Sequence, residues 1–211
     1  MSTNGKPVSV DFYFDFLCPW AFRASEWIRD VREQLGPDHL EINWRYFPLE
    51  QVNSEEGPDW KLWEQPDEQT TRGLEMFRGA LAAWQQDQGE KFDEFHRLVF
   101  RTRHGEYTVD GERPSVHEIA ESLGFDMDRF HKDFADRSLL SRIGEDYEFA
   151  RNQLGVFGVP TLVFEGDQAA YIKLMPKPEQ GDAVKVWDEV STVIADRPLI
   201  REIKRPTPPS S

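Results

Sequence analysis

Cys18 is the single cysteine of the chain, and its neighbours decide what chemistry it can do. It stands between a run of aromatic and β-branched residues, Val8 to Asp15, and an amphipathic pattern that begins near Trp20. Pro19 suits the first position of a helix, where its missing N–H costs no hydrogen bond. The thiol is therefore expected at a helix N-terminus. Free amides and the helix dipole favour the thiolate there, and the thiolate is the form that attacks disulfides and electrophiles. The ordinary alternative for a lone cysteine is a small buried side chain. Trp20 is placed to form a flat wall beside the sulfur. A second element lies far along the chain. Val159-Pro160 comes just before a strand-like run, and an X-Pro bond there is a candidate cis bond. In the cis form it would present the Val159 backbone to an extended partner, as in strand addition.

Other chemistries find little support. One cysteine rules out an internal disulfide and a multi-cysteine metal site. The histidines, His39, His96, His104, His117 and His131, show no His-x-x-x-His spacing, so no metal is expected. Only His96, on an apolar helix face, invites inspection for a pocket. No Gly-rich phosphate loop, serine-hydrolase elbow or zinc pattern is present. The formal net charge of -14 disfavours nucleic acid and anionic membranes as partners. No apolar stretch is long enough to span a bilayer. The polar start, Met1 to Lys6, lacks an apolar signal core, so a cytoplasmic location is expected.

The elements that must position Cys18 follow from periodicity. Val8 to Asp15 reads as a buried strand. A helix from Trp20 to Leu35 carries Phe22, Trp27, Ile28, Val31 and Leu35 on one broad face and stops at Gly36-Pro37. Leu40 to Phe47 alternates as a second strand, and a crossover of this length favours parallel pairing. Residues 50 to 65 read as a polar loop. From about 66 to 154 the pattern is helical, with Leu74, Phe77, Leu81 and Trp84 in one repeat and Phe92, Phe95 and Val99 in another. Ser115 to Glu118 is a capping box, and Gly124 supplies a stop. A further helix spans about Ser138 to Leu154. Thr161 to Phe164 is then a short strand, Glu165 to Gln168 a hairpin turn, and Ala169 to Leu174 a returning strand. A last helix carries Val184, Val186, Trp187, Val190 and Val193.

This order is β-α-β, a helical block, then β-β-α. The expected fold class is α/β, with a core of residues 1–50 and 155–200, an all-helical insertion (51–154) packed on the sheet and an extended tail (201–211). Trp60, Trp63 and Trp84 lie in or near the insertion and are candidates to line a groove.

Phe14-Asp15-Phe16-Leu17-Cys18-Pro19-Trp20 resembles the active-site turn of DsbA-like thioredoxin-fold oxidoreductases, and Gly158-Val159-Pro160-Thr161 resembles their cis-proline loop. The final helix and tail, Lys185-Val186-Trp187-Asp188 to Lys204-Arg205, are similar to the mycothiol-dependent reductase subgroup. The resemblance implies a catalytic Cys18, with Pro19, Trp20, Ala21, Val159, Pro160 and Thr161 at the substrate. It implies no bound cofactor and mycothiol or glutathione as co-substrate, with a leaning to mycothiol. A homodimer through the sheet edge or the insertion is compatible with the residues, though nothing demands it. The family pattern is Cys-Pro-Trp-Cys, and this chain has Ala21 where the second cysteine belongs. An intramolecular dithiol cycle is then excluded. Cys18 works as a monothiol resolved by an external thiol, or the fold has moved towards the work of kappa-class glutathione transferases and chromene-carboxylate isomerases, or Ala21 is an introduced substitution that traps an intermediate. The alternative outside enzymology is a binding module that keeps the groove without the chemistry.

Overall fold

Strand β1 (Val8–Phe14) is the axis of the molecule because it is paired on both sides, and its Val10, Phe12 and Phe14 face is wholly apolar. Val10, Phe12, Tyr13 and Phe14 are all buried. A computed structural model describes residues 7–57, 59–66 and 72–206 of the chain. The expectations placed on residues 1–6 and on the last five residues of the tail lie outside the described residues.

β1 is followed by α1 (Pro19–Leu35) and β2 (Leu40–Tyr46), and β2 pairs with β1 in parallel, from Val8↔Leu40 to Phe14↔Tyr46. Late in the chain, β3 (Thr161–Phe164) pairs antiparallel with β1, with Tyr13 opposite Thr161 and Asp11 opposite Val163. β4 (Gln168–Tyr171) closes a hairpin on β3, giving a four-stranded sheet in the order β2-β1-β3-β4. The last helix, α8 (Ala183–Asp196), packs on α1. There the Trp27 indole N–H donates to the Ala183 carbonyl at 3.1 Å, and the Trp27 and Trp187 rings lie 6.0 Å apart. This is a thioredoxin-like mixed α/β fold.

The helices between β2 and β3 are α2 (Leu49–Val52), α3 (Arg72–Gln86), α4 (Glu90–Arg103), α5 (Val116–Ser122), α6 (Met127–Ala135) and α7 (Ser141–Asn152). They join the sheet through aromatic side chains. Phe14 meets Phe77 of α3 and His96 and Phe100 of α4. Tyr13 meets Phe47, which meets Tyr147 of α7. The capping box of α5 is present, with Ser115 accepting from the Glu118 amide and Glu118 accepting from the Ser115 amide.

Several expected boundaries differ. Residues 50–65 are more than a polar loop. They contain α2 and a 3-10 turn, Leu62–Glu64, that buries Trp63 against Tyr147 and the bare Cα of Gly144. The Trp63 indole therefore serves the interior of the helical block, contrary to a groove-lining role, whereas Trp84 packs edge-on against Phe92 and stays half-buried. Residues 104–115 are a loop with an isolated bridge, Val109↔Glu112, inside the stretch expected to be helical throughout. Its Gly and Pro residues break the period. β4 ends at Tyr171, three residues earlier than the alternation suggests.

A buried ionic network ties α1, β2 and α4 together. Asp93 accepts from Arg29 at 3.2 Å, from Arg32 at 2.5 Å and from the Trp44 indole at 3.0 Å. Burial alone would raise the Asp93 carboxyl, but Arg29, Arg32 and the Trp44 N–H outweigh it and hold it below the usual carboxylate range. Arg29 also approaches His96 Nδ1 at 2.8 Å. A guanidinium only donates, so Nδ1 accepts and Nε2 carries the proton. His96 is fully buried, stacked on Trp44 at 4.2 Å, and kept neutral by burial and by the Arg29 charge. It is a core histidine.

We expect Asp93→Ala to destabilise the protein by about 3–5 kcal/mol in urea unfolding, because it leaves the Arg29 charge buried without compensation. A loss under 1 kcal/mol would show that the network contributes little.

Candidate active site

β1 stops at Phe14, and the chain turns before entering α1. The turn is held by Asp15. Its backbone carbonyl accepts from the Cys18 amide at 3.0 Å. Its carboxylate accepts from the Leu17 amide at 2.8 Å and from the Leu49 amide at 2.7 Å. One side chain thus joins the Cys18 turn to the start of α2. His104, at the end of α4, braces the same turn. Its Nε2 lies 3.0 Å from the Phe16 carbonyl, and its ring stacks on Phe22 at 4.8 Å.

Cys18 is the N-cap of α1, with Pro19 as the first helical residue. Its sulfur lies 3.5 Å from the Ala21 amide and 3.4 Å from the Val159 carbonyl. A thiol donates one hydrogen bond and accepts weakly, so the Sγ–H points at Val159 and the Ala21 N–H points at the sulfur. The Val159-Pro160 peptide is cis. Thr161 begins β3, and its hydroxyl donates to the Gly158 carbonyl at 2.7 Å, fixing the loop. Cys18, Ala21, Val159, Pro160 and Thr161 are buried, Trp20 is half-buried and Pro19 is exposed. The structure brings the two ends of the sequence pattern together, although they are 141 residues apart.

The electrostatics differ from the expectation of a ready thiolate. Cys18 is only 4% exposed, and burial pushes its thiol above the usual value. The Asp15 charge pushes the same way. The Ala21 and Trp20 amides and Lys173 oppose both and do not win. At rest the group is a thiol. Asp15 is itself perturbed. It is 1% exposed, and burial raises its carboxyl to about 6 despite two amide hydrogen bonds.

Several residues of this site escape a sequence reading. Lys173 has its Nζ 5.2 Å from the Trp20 ring and 5.6 Å from the Tyr171 ring. The Arg23 guanidinium is 5.0 Å from the Trp20 ring on α1. Phe157 is 64% exposed beside Tyr171, which gives the rim an apolar patch. Asp15 lies within the sequence motif, but nothing there marked its carboxylate as the clamp of the turn. A cavity of about 370 Å³ lies one helical turn from Cys18, between Phe22, Arg23, Glu26, Glu106 and Met175-Pro176. Among the described residues, no cluster of three or more His, Cys, Asp or Glu side chains is placed to hold a metal ion. No described helix is long and apolar enough to cross a membrane.

A strand-turn-helix with a capping thiol, facing a cis-proline loop from the antiparallel hairpin, defines a class, and comparison with known proteins agrees. The profile of the DSBA-like thioredoxin domain matches residues 9–178. The chain belongs to that family. It is 32% identical over 207 residues to the uncharacterized protein Rv2286c of Mycobacterium tuberculosis, covering 96% of this chain and 84% of that protein. Its fold is similar to the cytosolic disulfide reductase DsbM of Pseudomonas aeruginosa, with TM-score 0.57, 16% identity and coverage of 88% and 100% of the two chains. It is also similar to a 2-hydroxychromene-2-carboxylate isomerase, with TM-score 0.59, 18% identity and coverage of 92% and 100%.

The Asp15 proton is held more tightly in the folded than in the unfolded chain. Its contribution to stability is therefore complete below the unfolded value of 3.8 and is lost as pH rises through about 6. We expect Asp15→Asn to gain on the parent, on the order of 3 kcal/mol, between pH 4 and pH 7 in urea unfolding, over a constant loss from one unpaired amide. A pH-independent difference would refute the buried, raised carboxyl.

Proposed function

We propose that this chain carries out thiol-disulfide chemistry through Cys18 alone, with a low-molecular-weight thiol, mycothiol or glutathione, completing the cycle. The carrying observation is the 3.4 Å approach of the Cys18 sulfur to the Val159 carbonyl across the cis peptide. It sets the nucleophile beside a stretch of backbone that can hold an extended partner. Among the described residues no hydrogen bond engages the Val159 N–H. That leaves a donor for a partner's carbonyl next to the sulfur.

In the first step the Cys18 sulfur attacks one sulfur of a disulfide. A bond forms between Sγ and that sulfur, the old S–S bond breaks, and the leaving thiolate takes up the proton that Cys18 gives away. In the second step an external thiolate attacks the mixed disulfide. Cys18 departs, regains a proton, and the new disulfide leaves. The Ala21 amide is aimed at Sγ and stabilises its anion in both steps. Burial keeps the resting sulfur protonated, so the proton must leave as the S–S bond forms.

That burial favours a second reading, the binding module, because a raised, 4% exposed thiol is a poor nucleophile at rest. Incubation of the reduced protein with oxidised glutathione or with mycothiol disulfide, followed by intact mass spectrometry, separates the two. We expect one adduct, on Cys18, that is reversed by the free thiol and absent in Cys18→Ser. No adduct under either condition would leave the binding module. The rate of alkylation is expected to rise with pH through a midpoint above that of free cysteine, near 8.5. Ala21→Cys is expected to abolish accumulation of the adduct, since the new thiol resolves it internally.

A further inference from the structure

We propose that the small partner of Cys18 is an anion, a disulfide or electrophile bearing a carboxylate, and that Arg23 and Lys173 select it. The inference rests on Cys18 being the reacting group and adds the charge of what it meets.

The chain has 39 acidic against 25 basic residues. In such a protein a cation has abundant carboxylates to pair with, and many here do. Lys177 pairs with Asp30, Arg97 with Glu26 and Glu94, and Arg45 with Asp11 and Asp146. Arg23 and Lys173 do not. Among the described residues neither has a carboxylate within ion-pair distance. Both instead lie over the Trp20 ring, next to Cys18 in sequence, at 5.0 and 5.2 Å. A cation held over an aromatic face at an exposed site gains only about 0.5–1 kcal/mol, so its charge stays available to an anion.

Two acids lie below the rim, Asp15, whose charge opposes Lys173 at the sulfur, and Glu50 beside Asp15, and among the described residues neither pairs with Arg23 or Lys173. Asp15 is buried and carries two amides. Glu26 is engaged by Arg97. Glu106 faces Arg23 across the adjoining cavity without pairing with it. On the other flank, Arg103 and Arg113 add positive charge, and with Arg23 they disfavour protonation of His104 beyond what burial does. The result is a cationic rim, reaching the sulfur through Lys173, on a molecule whose overall field repels anions. A neutral sugar thiol such as mycothiol makes no use of that rim, whereas the carboxylates of a glutathione-like molecule do.

The test compares two alkylating agents of one size class, iodoacetate and iodoacetamide, on Cys18 of the full chain. Their rate ratio, divided by the same ratio for free cysteine, cancels any change in thiolate fraction. A protein with this net charge and no cationic rim gives a ratio below one. We expect at least a roughly threefold preference for iodoacetate at ~20 mM salt, collapsing at ~0.5 M as the Debye length shortens. We expect Arg23→Gln with Lys173→Gln to bring the ratio below one. A parent ratio at or below one, or a ratio that the double substitution leaves unchanged, overturns the inference. Failure to form a mixed disulfide while the iodoacetate preference holds removes the exchange reaction and leaves the anion-selective rim. A Cys18 that neither reagent labels overturns both.

Discussion

The antiparallel register of β3 on β1 is the constraint on which the rest of this structure depends. Tyr13 opposite Thr161 means that the chain leaving β1 and the chain entering β3 run out at the same end of the sheet. Cys18 and Val159 are brought into contact by that register. A slip of one residue would turn Thr161 to the other face and carry the cis loop away from the sulfur. β1 holds the register because it is paired on both sides, with β2 in parallel and β3 antiparallel, and because Phe12 and Phe14 are locked among Trp44, Phe77 and Phe100. The site inherits its precision from an aromatic core behind it.

The order of elements was legible because each signal is local. Alternation in Leu40 to Tyr46, the Gly36 stop and the Pro19 start are short-range effects of backbone preference and burial. The two motif segments were also readable, since Cys18-Pro19 and Val159-Pro160 each demand a particular backbone. What escaped was non-local. Whether Cys18 is a thiol or a thiolate depends on a contest between burial and amides, and burial is a property of the finished fold. The helix N-terminus was read correctly as a position; its effect on the proton was outweighed. Asp15 looked like the end of a strand, yet it clamps Leu17 to Leu49, a partner 34 residues away. Trp63 was a groove candidate because it lies in the insertion, but the bare Cα of Gly144 makes room for it inside. Lys173 left no trace, as nothing in the sequence says that a lysine after β4 stands over Trp20.

The distribution of charge follows the same logic at larger scale. The molecule is acidic overall, and its interior cations are tightly paired. Arg29 and Arg32 share Asp93, and that pairing pins α1 to α4. The cations Arg23 and Lys173, with no ion pair among the described residues, lie early in α1 and just after β4, both against the Trp20 ring. Pairing inside serves rigidity, and its absence at the rim leaves a local field for recognition. Burial makes the site reluctant to ionise, and Asp15 beneath adds a negative charge that acts the same way.

Ala21 is completely buried, directly below the sulfur. In a two-cysteine relative that position ends the covalent encounter from within, on a schedule the protein sets for itself. Here the interior offers only a methyl group. Under the proposed exchange, the lifetime of an adduct on Cys18 scales inversely with the abundance of thiol in the surroundings, and the fraction of molecules carrying one becomes a running record of the local redox climate. In that chemistry a single missing sulfur exchanges a self-timed cycle for a gauge.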